Sequence, residues 1–244
     1  MTPSAKVRGI QRLVGLLMLG GGSIIGMYSF TQVPPHDETA RALSRLTREQ
    51  QYHSKLYAEY ERGGRILDDG ADVETIVEHA EDTQHPRDLD QYLESLVCST
   101  DLAVIVNVKS GTSNPTAGGG FLFTDYATSV RRIIRVPLSV KLSVGKELLV
   151  TRAGGEATVR GVHITARDRR FPTLLTGADY LLMGKYLTFT SALHTSDPRG
   201  TFRIAGERLT RLGSLQEDVE SQLAGGMETD VVIPRIERIA ARCR

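Results

Sequence analysis

A chain of 244 residues, 40% hydrophobic and 24% charged, has the length and composition of one folded domain with helical additions. An aromatic fraction of 6% with no Trp leaves Leu, Val and Ile to fill the core, and two cysteines exclude any disulfide framework beyond a single pair. The net charge of +1 excludes a uniformly polycationic binder, yet it hides a strong polarity along the chain.

Residues 36–95 hold 15 Asp/Glu against 7 Lys/Arg, residues 96–214 hold 8 against 16, and residues 215–244 hold 6 against 4. Opposite charge on consecutive segments predicts that the acidic part docks on the basic part; separately solvated faces are the alternative. Leu13 to Phe30 carries no charge over 18 residues, enough to cross roughly 27 Å of hydrocarbon as a helix. Lys6, Arg8 and Arg12 precede it and Asp37 and Glu38 follow, so the positive-inside rule puts the N-terminus in the cytoplasm and the rest outside. No small-x-small cleavage pattern follows Phe30, which favours an uncleaved signal anchor over the competing signal peptide. Gly22 and Gly26, four apart, offer a close-approach face for a membrane homodimer.

Val33-Pro34-Pro35 stops the span. A helix from Asp37 or Thr39 to about Arg62 is expected, with a narrow stripe of Leu43, Leu46, Gln50, His53, Tyr57 and Tyr60. Polar Gln50 and His53 in that stripe predict a half-exposed helix. A second short helix is expected over Asp72 to Ala80 and a third over Asp88 to Val97, which gathers Leu89, Leu93, Leu96 and Val97 on one side.

From Asp101 the period changes. Leu102 to Val108 is a dense β-branched strand, Ser110 to Gly120 reads as a loop, and Phe121 to Arg135 as a long or bent strand with a bulge near Thr128. Further strands are expected at Gly145 to Thr151, at 157–164 after a Gly154-Gly155 turn, and at Tyr180 to Phe189, where Gly184 marks a bend or close approach. Thr201 to Ile204 and Arg208 to Leu212 make a hairpin around Gly206. Helix candidates follow at Leu215 to Leu223 and Ile233 to Arg242, the latter with Pro234 in its first turn. The fold class expected is α+β: a transmembrane helix (residues 1–31), an acidic helical spacer (32–98), an antiparallel barrel or sandwich of OB-like type (99–212) and a helical tail (213–244).

Ser99-Thr-Asp before a strand, Phe123-Thr-Asp-Tyr126, the Gly-Gly turn, Phe171-Pro172, Gly177-x-x-Tyr-Leu-Leu182 and Gly200-x-Phe-Arg-Ile204 together resemble uncharacterised exported β-rich proteins of bacterial genomes. More distantly the pattern resembles netrin-like modules, which implies an OB-type barrel over Ser99 to Leu212. The N-terminal cysteine arrangement of netrin-like inhibitors is missing, so protease inhibition is not implied.

Cys98 and Cys243 flank the β-rich part, and outside the cytoplasm they either pair or remain two thiols. Glu78, His79, Asp82 and His85 match no metal-ligand spacing, and no cofactor motif is present. There is no Gly-x-Ser-x-Gly elbow, and Gly118-Gly119-Gly120 lacks the Lys-Ser/Thr of a phosphate loop. Arg131, Arg132, Arg135, Arg152, Arg160, Arg167, Arg169 and Arg170 supply the positive charge, with Arg131, Arg132, Arg167, Arg169 and Arg170 as the expected contact surface. A location outside the cytoplasm argues against nucleic acid and for an envelope protein or anionic polymer. The sequence therefore predicts a membrane-anchored, extracytoplasmic, non-catalytic binding or assembly module of the bacterial envelope. The alternative is an envelope enzyme whose site joins distant residues, for which His163 or His194 beside a carboxylate would be the sign.

Overall fold

The computed structural model describes residues 46–60, 64–68, 72–77, 88–159, 162–168, 170–212 and 226–243. The expected span at Leu13 to Phe30 and the expected helix at Leu215 to Leu223 lie outside them; among the described residues no helix is long and apolar enough to cross a membrane. The fold is α+β, with three helices and a large, mostly antiparallel sheet.

Helix α1 (Arg48–Leu56) starts at a capping box, in which Thr47 and Gln50 satisfy each other's backbone N–H groups. Strands β1 (Gly64–Asp68) and β2 (Asp72–Val77) form an antiparallel pair. The helix expected over Asp72 to Ala80 is thus a strand where it is described. Val73, Thr75, Ile76 and Val77 are β-branched, and six residues of β2 pair in parallel with β7 (Val162–Asp168), an alternative ladder that local helix propensity does not outweigh. Helix α2 (Leu89–Ser99) follows the expected third helix, with the Asp88 carboxylate accepting from Gln91 N at 2.8 Å.

Strand β3 (Leu102–Pro115) runs straight through much of the expected loop and pairs along its length with β4 (Leu122–Arg135). Register shifts fall at three places in this pair, leaving Lys109 on β3 and Arg131 and Ile134 on β4 without a directly opposite partner. Such bulges bend a sheet, and here they let β3 and β4 curl. β5 (Glu147–Ala153) continues the sheet; at Gly154 (φ +90°) the chain leaves it for β6 (Gly155–Val159) and β7, so the strand expected over 157–164 is two strands of a hairpin. β1, β2, β7 and β6, in that order, form a separate sheet that joins acidic and basic parts of the chain.

β8 (Asp179–Leu187) returns antiparallel to β3, and β9 (Ala192–His194) pairs in parallel with β5 and antiparallel with β8. The pairings β3–β4–β5–β9–β8–β3 make a closed cycle. Gly184 permits it: a Cβ there would sit 2.3 Å from the His194 carbonyl oxygen. Beyond a short 3-10 turn, β10 (Thr201–Ala205), β11 (Arg208–Arg211) and β12 (Met227–Glu228) extend the sheet from β8, and α3 (Thr229–Arg242) ends the fold.

Alternation on β3 and β8 divides the core. Val104, Val106 and Leu182 face the inside of the cycle with Tyr126, Val150 and Tyr180, while Ala103, Ile105, Leu181 and Met183 face α2 and α3. α3 begins four residues before its expected start, so Pro234 lies in the helix interior. The lost hydrogen bond and steric clash cost about 3 kcal/mol. Burying Val232, Ile233, Ile236 and Ile239 returns about 2 kcal/mol each, which decides in favour of helix.

A disulfide joins Cys98, in the last turn of α2, to Cys243, the C-cap of α3, with Cα atoms 5.1 Å apart. It closes a sequence separation of 145 residues. In the chain-entropy treatment such a loop stabilises the fold by about 5 kcal/mol at most. Alkylation without reduction should label neither cysteine, and Cys243→Ser should lower the thermal midpoint by several degrees; two labelled thiols in the untreated protein would contradict the pairing.

Candidate functional site

The densest polar chemistry lies where α1 covers the outer face of β4, β5 and β9. Register places Asp125 beside Thr151, Thr151 beside His194, and His194 beside Lys185, so four polar side chains cross the sheet in one row. α1 lays His53 and Tyr57 over this row. His53 is fully buried, its Nδ1 2.9 Å from Asp125 Oδ1 and its Nε2 2.9 Å from Thr190 Oγ1. A carboxylate only accepts, so Nδ1 carries the proton; in the neutral imidazole Nε2 then accepts from the threonine hydroxyl. Tyr57 stacks on Phe123 at 5.4 Å and meets the edge of His194 at 5.4 Å, while Phe123 turns its own edge toward His53.

Burial sets the electrostatics. It pushes the Tyr57 hydroxyl well above its ordinary pKa and pulls His194 down to about 4, the second effect helped by His53 and Lys185 nearby. Asp125 Oδ2 is buried without a hydrogen-bond partner among the described residues, so the carboxylate is held chiefly through His53. On the opposite face of β5, Arg152 points into the closed cycle at 1% exposure, its guanidinium 5.4 Å from the Phe171 ring and 3.4 Å from Thr201 Oγ1. Burial lowers its pKa. Counted with the basic surface in the sequence, Arg152 is a core residue.

Thr190 sits in the turn between β8 and β9, half-buried, and is followed by Ser191 at φ 53°, the one non-glycine residue with positive φ among those described. Phe189, before it, is 57% exposed, with the Tyr52 ring 5.2 Å away and the Arg48 guanidinium 5.8 Å over its face.

The arginines expected to form one contact surface do not converge. Arg131 and Arg132 are exposed near the end of β4, consecutive on one side because of the bulge, and Arg132 pairs with Glu237 of α3 at 2.7 Å. Arg167 and Arg170 belong to the region of β7, where Arg167 meets Glu74 of β2 at 3.3 Å and Arg170 lies 4.0 Å from Asp168. The β4 residues nearest that region, around Thr124, are roughly 23 Å along the strand from Arg131. Arg169 lies outside the described residues. His163 is exposed on β7, its Nε2 3.3 Å from Thr165 Oγ1 of the same strand.

Next to Arg131 and Arg132 stands the loop 136–146 between β4 and β5. Bonds from Val140 N to Pro137 O and from Gly145 N to Val130 O hold it, and Val136 and Leu142 pack inward. Leu138 is fully exposed and Val144 is 63% exposed, with Lys141 and Lys146 beside them. Among the described residues no group of His, Cys, Asp and Glu could hold a metal ion. No family model matches this chain, and no curated protein matches it significantly.

His53, Asp125 and Thr190 escape sequence reasoning because 72 and 137 residues separate the pairs. The one linear sign is a histidine inside the apolar stripe of α1. It reads there as an exposure signal, and the structure reverses that: the pairing with Asp125 makes full burial affordable.

A His194 pKa of about 4 in the fold, against an ordinary 6.5, means the unfolded chain takes up the proton first as pH falls. Stability should be fully present above about pH 6.5 and decline toward pH 4, by on the order of 2–3 kcal/mol from this group. Urea unfolding of His194→Gln across this window should show the loss reduced by that amount. Removing one partner of the buried pair, as in Asp125→Ala, should cost about 3–5 kcal/mol in the same assay.

Proposed function

We propose that this protein is a binding or assembly element of the bacterial cell envelope, anchored through Leu13 to Phe30 with its N-terminus cytoplasmic and its β-rich part outside. The scaffold is a five-stranded barrel of OB type. The cyclic order β3–β4–β5–β9–β8, with β5 and β9 parallel, supports that reading. The Cys98–Cys243 disulfide fits an oxidising compartment.

The observation that carries the binding role is the loop 136–146. A tethered loop that turns Leu138 and Val144 to solvent, carries exposed Lys141 and Lys146 and follows exposed Arg131 on β4, offers apolar and cationic side chains in one segment. That chemistry fits a protein surface with an apolar depression bordered by Asp and Glu. A polyanionic polymer would use the charge but leave Leu138 without a contact. The arginines at the β7 end are matched in part by Glu74 and Asp168, so the contact surface centres on Arg131 and the loop, not on all five arginines.

A photo-crosslinker at position 138 in intact cells should capture one defined envelope protein, while one at Glu156 should not. Lys141→Glu or Leu138→Asp should weaken the isolated complex about tenfold each, as loss of one interface anchor does. Equal capture from both positions, or none from 138, would remove the basis for this role.

A further inference from the structure

We infer that Thr190, His53 and Asp125 form a nucleophile, base and orienting carboxylate able to cleave carboxylic esters with an apolar acyl group. The inference is independent of the binding role, since it concerns the turn between β8 and β9 and not the loop between β4 and β5.

Geometry comes first. Thr190 Oγ1 lies 2.9 Å from His53 Nε2, and His53 Nδ1 lies 2.9 Å from Asp125 Oδ1, both within the reach that nucleophile–base and base–carboxylate pairs require. The carboxylate and imidazole are buried, the imidazole edge to face with the Phe123 ring at 6.3 Å, whereas Thr190 is half-buried in its turn. With Nδ1 donating to the buried carboxylate, Nε2 of the neutral imidazole is the basic site, aimed at the Thr190 hydroxyl.

A clamp between α1 and the sheet would account for the buried pair alone. It would not account for the surroundings of Thr190. Ser191 holds a left-handed backbone at a cost of about 1 kcal/mol, which sharpens the turn directly after the hydroxyl-bearing residue. Strained turns of this kind present nucleophiles in other hydrolytic architectures. Phe189, the residue before Thr190, and Tyr52, the residue before His53, bring their rings to 5.2 Å and make an apolar surface suited to an acyl chain, with the Arg48 guanidinium over Phe189.

The step balances without a metal or redox partner. Thr190 Oγ1 forms a bond to the acyl carbon while its proton passes to His53 Nε2; the bond to the alcohol oxygen breaks and that oxygen takes the proton. Water then adds to the acyl-threonine, giving a proton to Nε2, and the acid leaves as the proton returns to Oγ1. Asp125 acts as a positioning residue, since it touches His53 and not the ester.

The test uses the full-length protein in detergent, with p-nitrophenyl butyrate as substrate and a fluorophosphonate as covalent probe located by peptide mass spectrometry. An adduct on Thr190 is expected, together with ester turnover whose kcat falls at least about 100-fold in Thr190→Ala and is largely kept in Thr190→Ser. Asp125→Asn should lower kcat with little change in KM and shift the pH profile, which a purely structural role would not do. Thr190→Ala changes a surface turn and should keep the far-ultraviolet dichroism of the parent. No Thr190 adduct on the parent protein, or undiminished turnover in Thr190→Ala, would overturn the inference.

Discussion

Three residues close this fold. Ala192–His194 make hydrogen bonds to β5 on one side and β8 on the other, and without them the long β3–β4 pair would belong to an open sheet with β5 at its edge. Their place depends on Gly184, whose missing side chain lets the His194 carbonyl approach the β8 backbone. The same contact positions the turn that carries Thr190 and buries His194 between Thr151 and Lys185. Closure, the cover of α1 and the polar cluster are therefore consequences of one close backbone approach.

The two faces of the closed strands are used differently. The inside is largely aliphatic and also holds Tyr126, Tyr180 and the buried Arg152, while the face under α2 and α3 is largely apolar and locked by Cys98–Cys243. The face under α1 brings His53, Asp125 and His194 together with the Tyr57 and Phe123 rings. Burial there makes each hydrogen bond matter more, because the low local dielectric strengthens a satisfied pair and penalises a broken one. Rigid strands on three sides hold His53 and Asp125, which is the condition for an orienting pair as much as for a stabilising one.

Charge is spent mainly on joining segments. Glu74 meets Arg167 across the β2–β7 pair, Glu237 meets Arg132, and Asp90 meets Arg235 between α2 and α3, where hydrogen bonding to the guanidinium lowers the Asp90 pKa. These pairs are largely exposed and add little stability each.

Where sequence and structure agree, the cause is local: Asp88 caps α2, β-branched runs give β3 and β4, and Gly206 turns the β10–β11 hairpin. Where they part, a distant partner decides. Asp72–Val77 becomes a strand because β7 offers it a ladder, the Ser110 to Pro115 stretch becomes strand because β4 continues opposite it, and Pro234 is carried inside α3 by the apolar surface beneath. The contact of His53 with Asp125 and Thr190 has no local cause at all, since hydrogen bonds between residues 72 and 137 positions apart follow from chain closure and leave no period or spacing behind. By itself the sequence determined the α+β class and most of the strands between Leu102 and Arg211, because propensity and periodicity act over a few residues. The tertiary structure alone decided the strand order, the separation of the arginines and the polar cluster, because pairing partners and burial are properties of the closed sheet.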